Sequence, residues 1–199
     1  MPFGTSLDLN SPNPWGHEKH WADDMENGPD LWDAILIRLP GGVIMGGCVR
    51  DFILEKEPKD IDVFINYPDR GRIMRNVEEG LVAWDFIDDH EVIRDRGFYG
   101  NVRDLAMVED YKFGKHKVNV ITVFDEDASQ SWKTFDLNIN MCWYNWDKNC
   151  VEVSEEFHKA MLTKEIRIND EAQSRRGLER VLERAKRFTE KFPEFKFVN

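Results

Sequence analysis

The sequence predicts one compact domain of the α+β or mixed α/β class. Apolar residues at helical spacing alternate along the chain with short β-branched runs, and this order is typical of a sheet flanked by helices. Hydrophobic residues make up 41% and aromatic residues 12% of the 199 residues, which is globular composition despite a formal net charge of −11. No apolar run approaches the roughly 20 residues that a membrane-spanning helix needs. We therefore expect a soluble, cytoplasmic protein with no membrane partner.

The first half of the chain reads as an arm followed by alternating helices and strands. Residues 1–28 are rich in Pro and Gly, and we predict a loosely ordered N-terminal arm. A helix follows, because Pro29 and Asp30 suit a first turn and the apolar stripe continues until Pro40. Short apolar runs predict strands at Val43–Met45 and Ile61–Ile65, helices at Val49–Leu54 and Arg72–Leu81, and weaker strands at Leu81–Ile87 and Glu91–Arg94.

The second half contains one clear strand and one long helix. Val118–Phe124 is β-branched and predicts a strand, while Asp125–Ser131 reads as an acidic loop. Apolar residues at helical spacing within Asp170–Phe188 predict an amphipathic helix. The expected organisation is the arm at 1–28, the domain proper at 29–169 and a C-terminal helix packed on it at 170–199, with a short strand at Cys150–Val153 and no assignment for Phe135–Tyr144.

Charge and cysteine content narrow the function classes. A pI near 5.0 argues against extensive nonspecific nucleic-acid binding, which needs a basic face to release counterions from phosphate. Three cysteines without a CxxC spacing argue against a disulfide framework and against a structural zinc site.

One segment carries chemistry-bearing residues at an informative spacing. Gly46 and Gly47 follow a short strand and precede a helix, and such a turn lets backbone approach a polyphosphate while Arg50 adds positive charge. Asp60 and Asp62 are two apart on a predicted strand, so their side chains point to the same face. Paired carboxylates on a rigid strand suit a hard divalent ion such as Mg²⁺. Together these residues predict a nucleotide site.

Three segments resemble one known superfamily. Gly46–Ile65 is similar to the GGxVRDxLLGxxxxDxD signature of the DNA polymerase β-type nucleotidyltransferases, in the branch of bacterial poly(A) polymerases and class II CCA-adding enzymes, with Glu55 in place of the usual Gly. Asp136–Met141 is similar to the family's RRDFTINAM segment. Leu182–Phe188 is similar to its ILRAxRF helix. The three occur in family order and imply the family's small head domain, in which a short mixed sheet is flanked by helices.

The resemblance implies roles for individual residues. Asp60 and Asp62 would be catalytic and hold Mg²⁺ or Mn²⁺, with Asn119 at the position of a third ligand. Gly46, Gly47 and Arg50 would face the triphosphate. The further nucleotide-binding residues that the resemblance implies are Asp136, Asn140 and Arg184.

The sequence departs from the family pattern at three places. The family's third carboxylate is Asn119 here, and an amide contributes neither charge nor proton acceptance. Asp104, Asp110 or Asp125 could substitute, and the sequence does not choose among them. The arginine pair of RRD is Thr134 and Phe135. The family's nucleotide-selecting EDxxR helix and tRNA-gripping body have no counterpart, so a complete CCA-adding enzyme is not expected.

These observations lead to two hypotheses about function. The first is a head-only nucleotidyltransferase that transfers a nucleoside monophosphate from Mg-NTP to a hydroxyl acceptor and releases pyrophosphate. The acceptor stays open between an RNA or tRNA 3′ end, which the family implies, and a smaller or protein acceptor, which the net charge and the missing body favour. The alternative is a catalytically silent nucleotide-binding regulatory module, which Asn119 motivates. The sequence does not decide whether the basic residues of the C-terminal helix and the seven tryptophans have structural roles or contact the acceptor or the base.

Overall fold

A five-stranded mixed sheet forms the centre of the computed structural model, which describes residues 5–8, 28–71, 85–86, 105–113, 116–124, 127–169 and 178–198. Its strands lie in the order β2-β3-β6-β5-β4. β3 and β6 are parallel and every other neighbouring pair is antiparallel. The strands are β2 (Val43–Ile44), β3 (Ile61–Asn66), β4 (Asp85–Phe86), β5 (Leu105–Phe113) and β6 (His116–Val123).

β3 has a buried apolar side and a side that carries the polar residues of the site. Ile61, Val63 and Ile65 are buried and point to one face because side chains alternate along a strand. Helix α1 (Pro29–Arg38) packs on that face, since a Cβ added at Gly42 would lie within 3.3 Å of both Val63 of β3 and Leu36 of α1. The opposite face of β3 therefore remains for the elements that build the site.

A second, three-stranded sheet extends the first at the β2 side. It has the order β1-β8-β7, all antiparallel, with β1 at Thr5–Asp8, β7 at Cys142–Asn145 and β8 at Cys150–Val153. An isolated bridge between Met45 and Trp143 joins the two sheets. Residues 5–8, which the sequence assigned to a loosely ordered arm, thus form an edge strand, because β8 offers unpaired backbone groups there.

The helices close the core around these sheets. Helix α2 (Gly47–Ile53) follows the glycine turn, α3 (Glu155–Thr163) follows β8, and α4 (Leu178–Lys191) is the amphipathic C-terminal helix. Ser154 caps α3 by accepting a hydrogen bond from the Phe157 amide at 3.0 Å. Beyond α4, the strand β10 (Lys196–Phe197) pairs in parallel with β9 (Glu165–Ile166).

The sequence-based assignment of elements is confirmed at α1, β2, α2, β3, β6 and β8, with shifts of one or two residues at their ends. It missed β5 and α3. The predicted acidic loop at Asp125–Ser131 is wrong in its second part, because a 3₁₀ helix spans Ala128–Thr134. The unassigned stretch Phe135–Tyr144 holds a second short 3₁₀ helix and most of β7. The predictions at Arg72–Leu81, Glu91–Arg94 and 170–177 lie outside the described residues.

None of the helices in the described ranges combines the length and apolar character that crossing a bilayer requires.

Candidate functional site

The glycine turn between β2 and α2 has a conformation that only glycine adopts readily. Gly46 has φ +83° and its amide donates to the Cys142 carbonyl at 2.9 Å, which ties the turn to β7. A Cβ at this position would lie 3.1 Å from the Phe135 ring. Gly47 starts α2, and a Cβ there would meet only the end of the Arg50 side chain at 3.8 Å.

The two predicted carboxylates lie beside this turn. The Met45 amide, directly before Gly46, donates to the Asp62 carbonyl at 3.3 Å. Asp60 directly precedes β3, and Asp62 is its second residue, so an extended chain at this point would direct both carboxylates to one face. Both side chains are partly exposed. Carboxylates and glycine turn thus meet at one edge of the sheet.

Asn119 lies directly opposite Asp62 on the parallel strand β6. It is 3% exposed, and its side-chain amide nitrogen donates to Asp62 Oδ1 at 2.9 Å. Asp110 of β5 lies opposite Asn119 in turn, and its carboxylate pairs with Lys117 at 2.8 Å. Asp62, Asn119 and Asp110 therefore form a row on one sheet face, with the amide between two carboxylates.

Arg50 is held in place by polar and aromatic neighbours. Two of its nitrogens donate to Asp51 Oδ1 at 2.6 and 2.8 Å, and the third donates to Asn140 Oδ1 at 2.6 Å. Its guanidinium carbon lies 5.1 Å from the ring centre of Phe188 and 5.7 Å from that of Phe192. The side chain is 14% exposed, so most of it is buried.

Two ion pairs tie α4 to this region. Arg184 contacts the carboxylate of Asp136 at 2.9 Å, and Asp136 is 1% exposed. Lys191 contacts Asp51 Oδ2 at 2.8 Å, on the carboxylate whose other oxygen binds Arg50. The C-terminal helix consequently supplies positive charge and an aromatic surface to the side of the turn where Arg50 lies.

A pair of tryptophans lies at the β7 side of the turn. Trp132 and Trp143 are stacked with ring centres 4.9 Å apart and planes at 13°, and both are half-buried. The Lys133 ammonium lies 5.6 Å from the Trp132 ring centre. Because Trp143 bridges to Met45, this stack flanks the glycine turn.

Residues 17–164 match the family model of the Gabija anti-defense 2 family proteins. The chain belongs to the Gabija anti-defense 2 family. Its sequence is not significantly similar to any curated protein.

Solved structures similar to this Gabija anti-defense 2 family member are CCA-adding enzymes and tRNA nucleotidyltransferases. The Thermotoga maritima CCA-adding enzyme complexed with tRNA has a TM-score of 0.64 at 13% identity, over 100% of this chain and 44% of that one. A CCA-adding enzyme with ATP gives 0.63 at 15% identity, over 100% and 43%. A tRNA nucleotidyltransferase with a primer tRNA and an ATP analogue gives 0.56 at 20% identity, over 84% and 46%. The chain spans less than half the length of these structures, and the likeness shows the nucleotidyltransferase head-type fold.

The structure brings the predicted residues of this family member together in two groups. Asp62 and Asn119 share one face of the sheet, beside Gly46 and Gly47, and Asp60 directly precedes the strand that carries Asp62. The other group consists of the predicted nucleotide-binding residues Arg50, Asp136, Asn140 and Arg184, which are paired with one another or with Asp51.

Sequence reasoning missed several neighbours of the site. Lys191 lies beyond the predicted end of the C-terminal helix, and the place of Phe135 against Gly46 could be known only from the fold. A signal for β5 existed, since Gly114 and Lys115 between two β-rich runs are typical of a two-residue hairpin turn. Ser154 followed by two glutamates likewise marks the start of α3.

The donor set suits a divalent cation. Asp60 and Asp62 are hard oxygen ligands on one face, and two carboxylates balance the charge of one Mg²⁺. Within the described ranges, no group of three or more His, Cys, Asp or Glu side chains is close enough to form a richer metal cluster. A carboxylate pair with the amide of Asn119 beside it is therefore the set of side-chain oxygen donors that this face offers to a cation.

Proposed function

We propose that this chain is a nucleotidyltransferase with the head-type fold, which binds an NTP with Mg²⁺ at the glycine turn. An oxygen of a hydroxyl acceptor attacks the α-phosphorus, the bond from that phosphorus to the β-phosphate oxygen breaks, and pyrophosphate leaves with the electron pair. The acceptor's proton passes to solvent or to a buffer base. The acceptor class that the fold suggests is an RNA or tRNA 3′ end.

The juxtaposition of the glycine turn with the carboxylate pair carries this proposal. The 3.3 Å hydrogen bond between the Met45 amide and the Asp62 carbonyl keeps the turn and the strand in register. A triphosphate at the turn would thus lie next to the carboxylates. The named fold neighbours that were solved with ATP or an ATP analogue support nucleotide binding by this fold.

Asp60 and Asp62 would hold the cation, which when bound offsets phosphate charge and stabilises the pyrophosphate leaving group. Gly46 permits the backbone conformation of the turn at φ +83°, and the phosphates would approach at Gly47, where a Cβ would meet only the end of Arg50 at 3.8 Å. Arg50 would add positive charge beside the triphosphate, while Asp51, Asn140 and Phe188 keep its guanidinium in one orientation. Such fixed groups lower the ordering cost when the nucleotide binds.

Two substitutions test the catalytic roles. Asp60→Asn and Asp62→Asn keep side-chain size but remove one negative charge each, and we expect transfer to fall by at least ~100-fold, the upper end of what losing a metal site's supporting partners costs. Transfer is measured as pyrophosphate release and as label moved from α-³²P-NTP to RNA. Normal turnover in both variants would refute the assignment.

Asp110→Asn is the matched control. It makes the same chemical change on the same sheet face, but the carboxylate belongs to the ion pair with Lys117 and lies beyond Asn119. We expect this variant to retain transfer. An equal loss at Asp110 would mean that the charge of the whole face, rather than the pair beside the turn, controls the reaction.

A silent nucleotide-binding module is the second candidate, and Asn119 favours it. The position opposite Asp62 carries an amide that cannot act as a base. Calorimetry with ATP and Mg²⁺ followed by the pyrophosphate assay separates the two candidates. Binding without release in any RNA pool or cell extract would favour the module.

The family's name suggests the biological role, namely action against a Gabija defence. We propose that nucleotide chemistry or nucleotide binding at the glycine turn serves that role. In cells that carry a Gabija defence, expression of the chain is expected to weaken the defence, and the Asp60→Asn, Asp62→Asn double variant is expected to fail. If the double variant worked as well as the unaltered chain, the site would be irrelevant to the anti-defence role.

A further inference from the structure

We infer that Asn119 is a positioning residue that fixes the carboxylate of Asp62 and limits the centre to one divalent cation. This inference rests on the proposed function and deepens it, because the number of cations decides which oxygens of the reaction receive metal assistance. It differs from a direct ligand role for Asn119.

The hydrogen bond to Asp62 sets the role of the amide. The side-chain nitrogen of Asn119 donates to Asp62 Oδ1 at 2.9 Å, so this end of the amide orients the carboxylate and does not bind a cation. The side chain is 3% exposed between two strands in register, so it has little freedom to rotate. It therefore holds Asp62 in one orientation, as partners behind a metal ligand commonly do.

The charge balance on this face sets the number of cations. Asp60 and Asp62 contribute two negative charges, and Asn119 contributes none. Asp110, the next carboxylate in the row, is balanced by Lys117 at 2.8 Å. One divalent ion neutralises the pair. A bound triphosphate would offset the charge of a second ion, but that ion would need a protein carboxylate of its own, and Asp110, the next in the row, is bound to Lys117.

A one-cation centre has a chemical consequence. A single cation held by Asp60 and Asp62 would offset phosphate charge, and this face would supply no second ion to lower the pKa of the acceptor hydroxyl. The acceptor must then lose its proton to another base or be acidic enough to react without help.

Counting bound Mn²⁺ tests the inference. The full chain is titrated with Mn²⁺ by electron paramagnetic resonance, with and without α,β-methylene-ATP, and nucleotide binding is measured separately by calorimetry. We expect one Mn²⁺ per chain in the nucleotide complex. Two or none would overturn the inference, and if none binds while nucleotide still does, the proposed nucleotide site survives. If the chain bound no nucleotide, the proposed function itself would be refuted.

Substitutions at Asn119 separate positioning from direct ligation. Asn119→Asp supplies the missing charge, and we expect a second Mn²⁺ in that variant. Asn119→Ala removes the donor to Asp62, so we expect the single Mn²⁺ to remain with ~10–100-fold weaker affinity. An affinity unchanged in Asn119→Ala would contradict the positioning role.

Two control variants exclude general effects. Thr122→Ala makes a comparable truncation at a buried residue of β6 that points to the opposite face, and it is expected to leave Mn²⁺ affinity unchanged. Asp110→Asn is expected to leave the Mn²⁺ count at one. If Asn119→Asp does not fold, the count in the unaltered chain and the affinity of Asn119→Ala still decide the question.

Discussion

Gly46 illustrates how one residue position can combine two physical constraints. Its φ of +83° excludes residues with a side chain, and the ring of Phe135 fills the space where a Cβ would lie. Phe135 also contacts Phe64 of β3, with ring centres 5.8 Å apart. Phe135, which stands where the RRD motif has an arginine, thus packs on the apolar part of the β3 face that also carries Asp62.

We expect Gly46→Ala to lower the free energy of unfolding by about 1–3 kcal/mol, because the strained backbone and the contact with Phe135 both oppose a Cβ. Urea denaturation measures the change. Gly47→Ala is the matched control, since Gly47 is helical and its Cβ would meet no backbone, so stability should stay the same or rise by up to about 1 kcal/mol. Equal effects at the two glycines would contradict this account of the turn.

At the scale of elements, α4 is fastened to the site by charge as well as by apolar packing. Val181, Ala185 and Phe188 form its buried stripe. Arg184 and Lys191 add ion pairs to two carboxylates that are almost completely buried, Asp136 and Asp51. A buried carboxylate is costly without a compensating partner, so these contacts specify where the helix docks.

Arg184→Met is expected to lower the free energy of unfolding by about 1–3 kcal/mol. The change keeps the apolar stem but removes the charge opposite the buried Asp136, and the partial exposure of Arg184 keeps the cost below that of a fully buried pair. Thermal or urea unfolding gives the value. Arg187→Met, at an exposed position on the same helix, should change stability by less than about 0.5 kcal/mol. If the two variants had the same free energy of unfolding, the ion pair with Asp136 would contribute nothing measurable to stability.

At the scale of the whole molecule, several buried thiol and phenol groups hold their protons more tightly in the folded state. Burial raises the pKa of the thiols of Cys48 and Cys142 and of the Tyr111 and Tyr144 hydroxyls. The hydrogen bond from Tyr144 to Asp33, at 2.7 Å, raises the pKa of that hydroxyl further. Each of these groups prefers its neutral form in the fold.

Stability is therefore expected to fall at alkaline pH. The folded pKa of each group lies above its unfolded value, so its stabilisation is complete below about pH 8.5 for the thiols and about pH 10 for the tyrosines, and it is lost as pH rises from there towards the folded pKa. Urea unfolding between pH 7 and 10.5 should show the decline. Tyr144→Phe should flatten the part above pH 10, and a stability independent of pH up to 10.5 would contradict the burial of these groups.

Much of the fold could be predicted from local patterns. The helix after Pro29 and the strand over Ile61–Asn66 follow from capping residues and β-branched runs, which act within a few residues. The strand at Leu105–Phe113 escaped prediction because Glu109 and Asp110 interrupt its apolar pattern, and its pairing with β6 stabilises it instead. The strand at Thr5–Asp8 depends in the same way on a partner distant in sequence.

The amino-acid sequence by itself was enough to predict the glycine turn and the pair of carboxylates two residues apart. Both predictions depend on local properties, namely the backbone freedom of glycine and the alternation of side chains along an extended chain. Only the tertiary structure decided that Asn119 donates to Asp62 and that Arg184 neutralises Asp136. Strand register and helix docking depend on the free energy of packing between distant segments, which no short stretch of sequence contains.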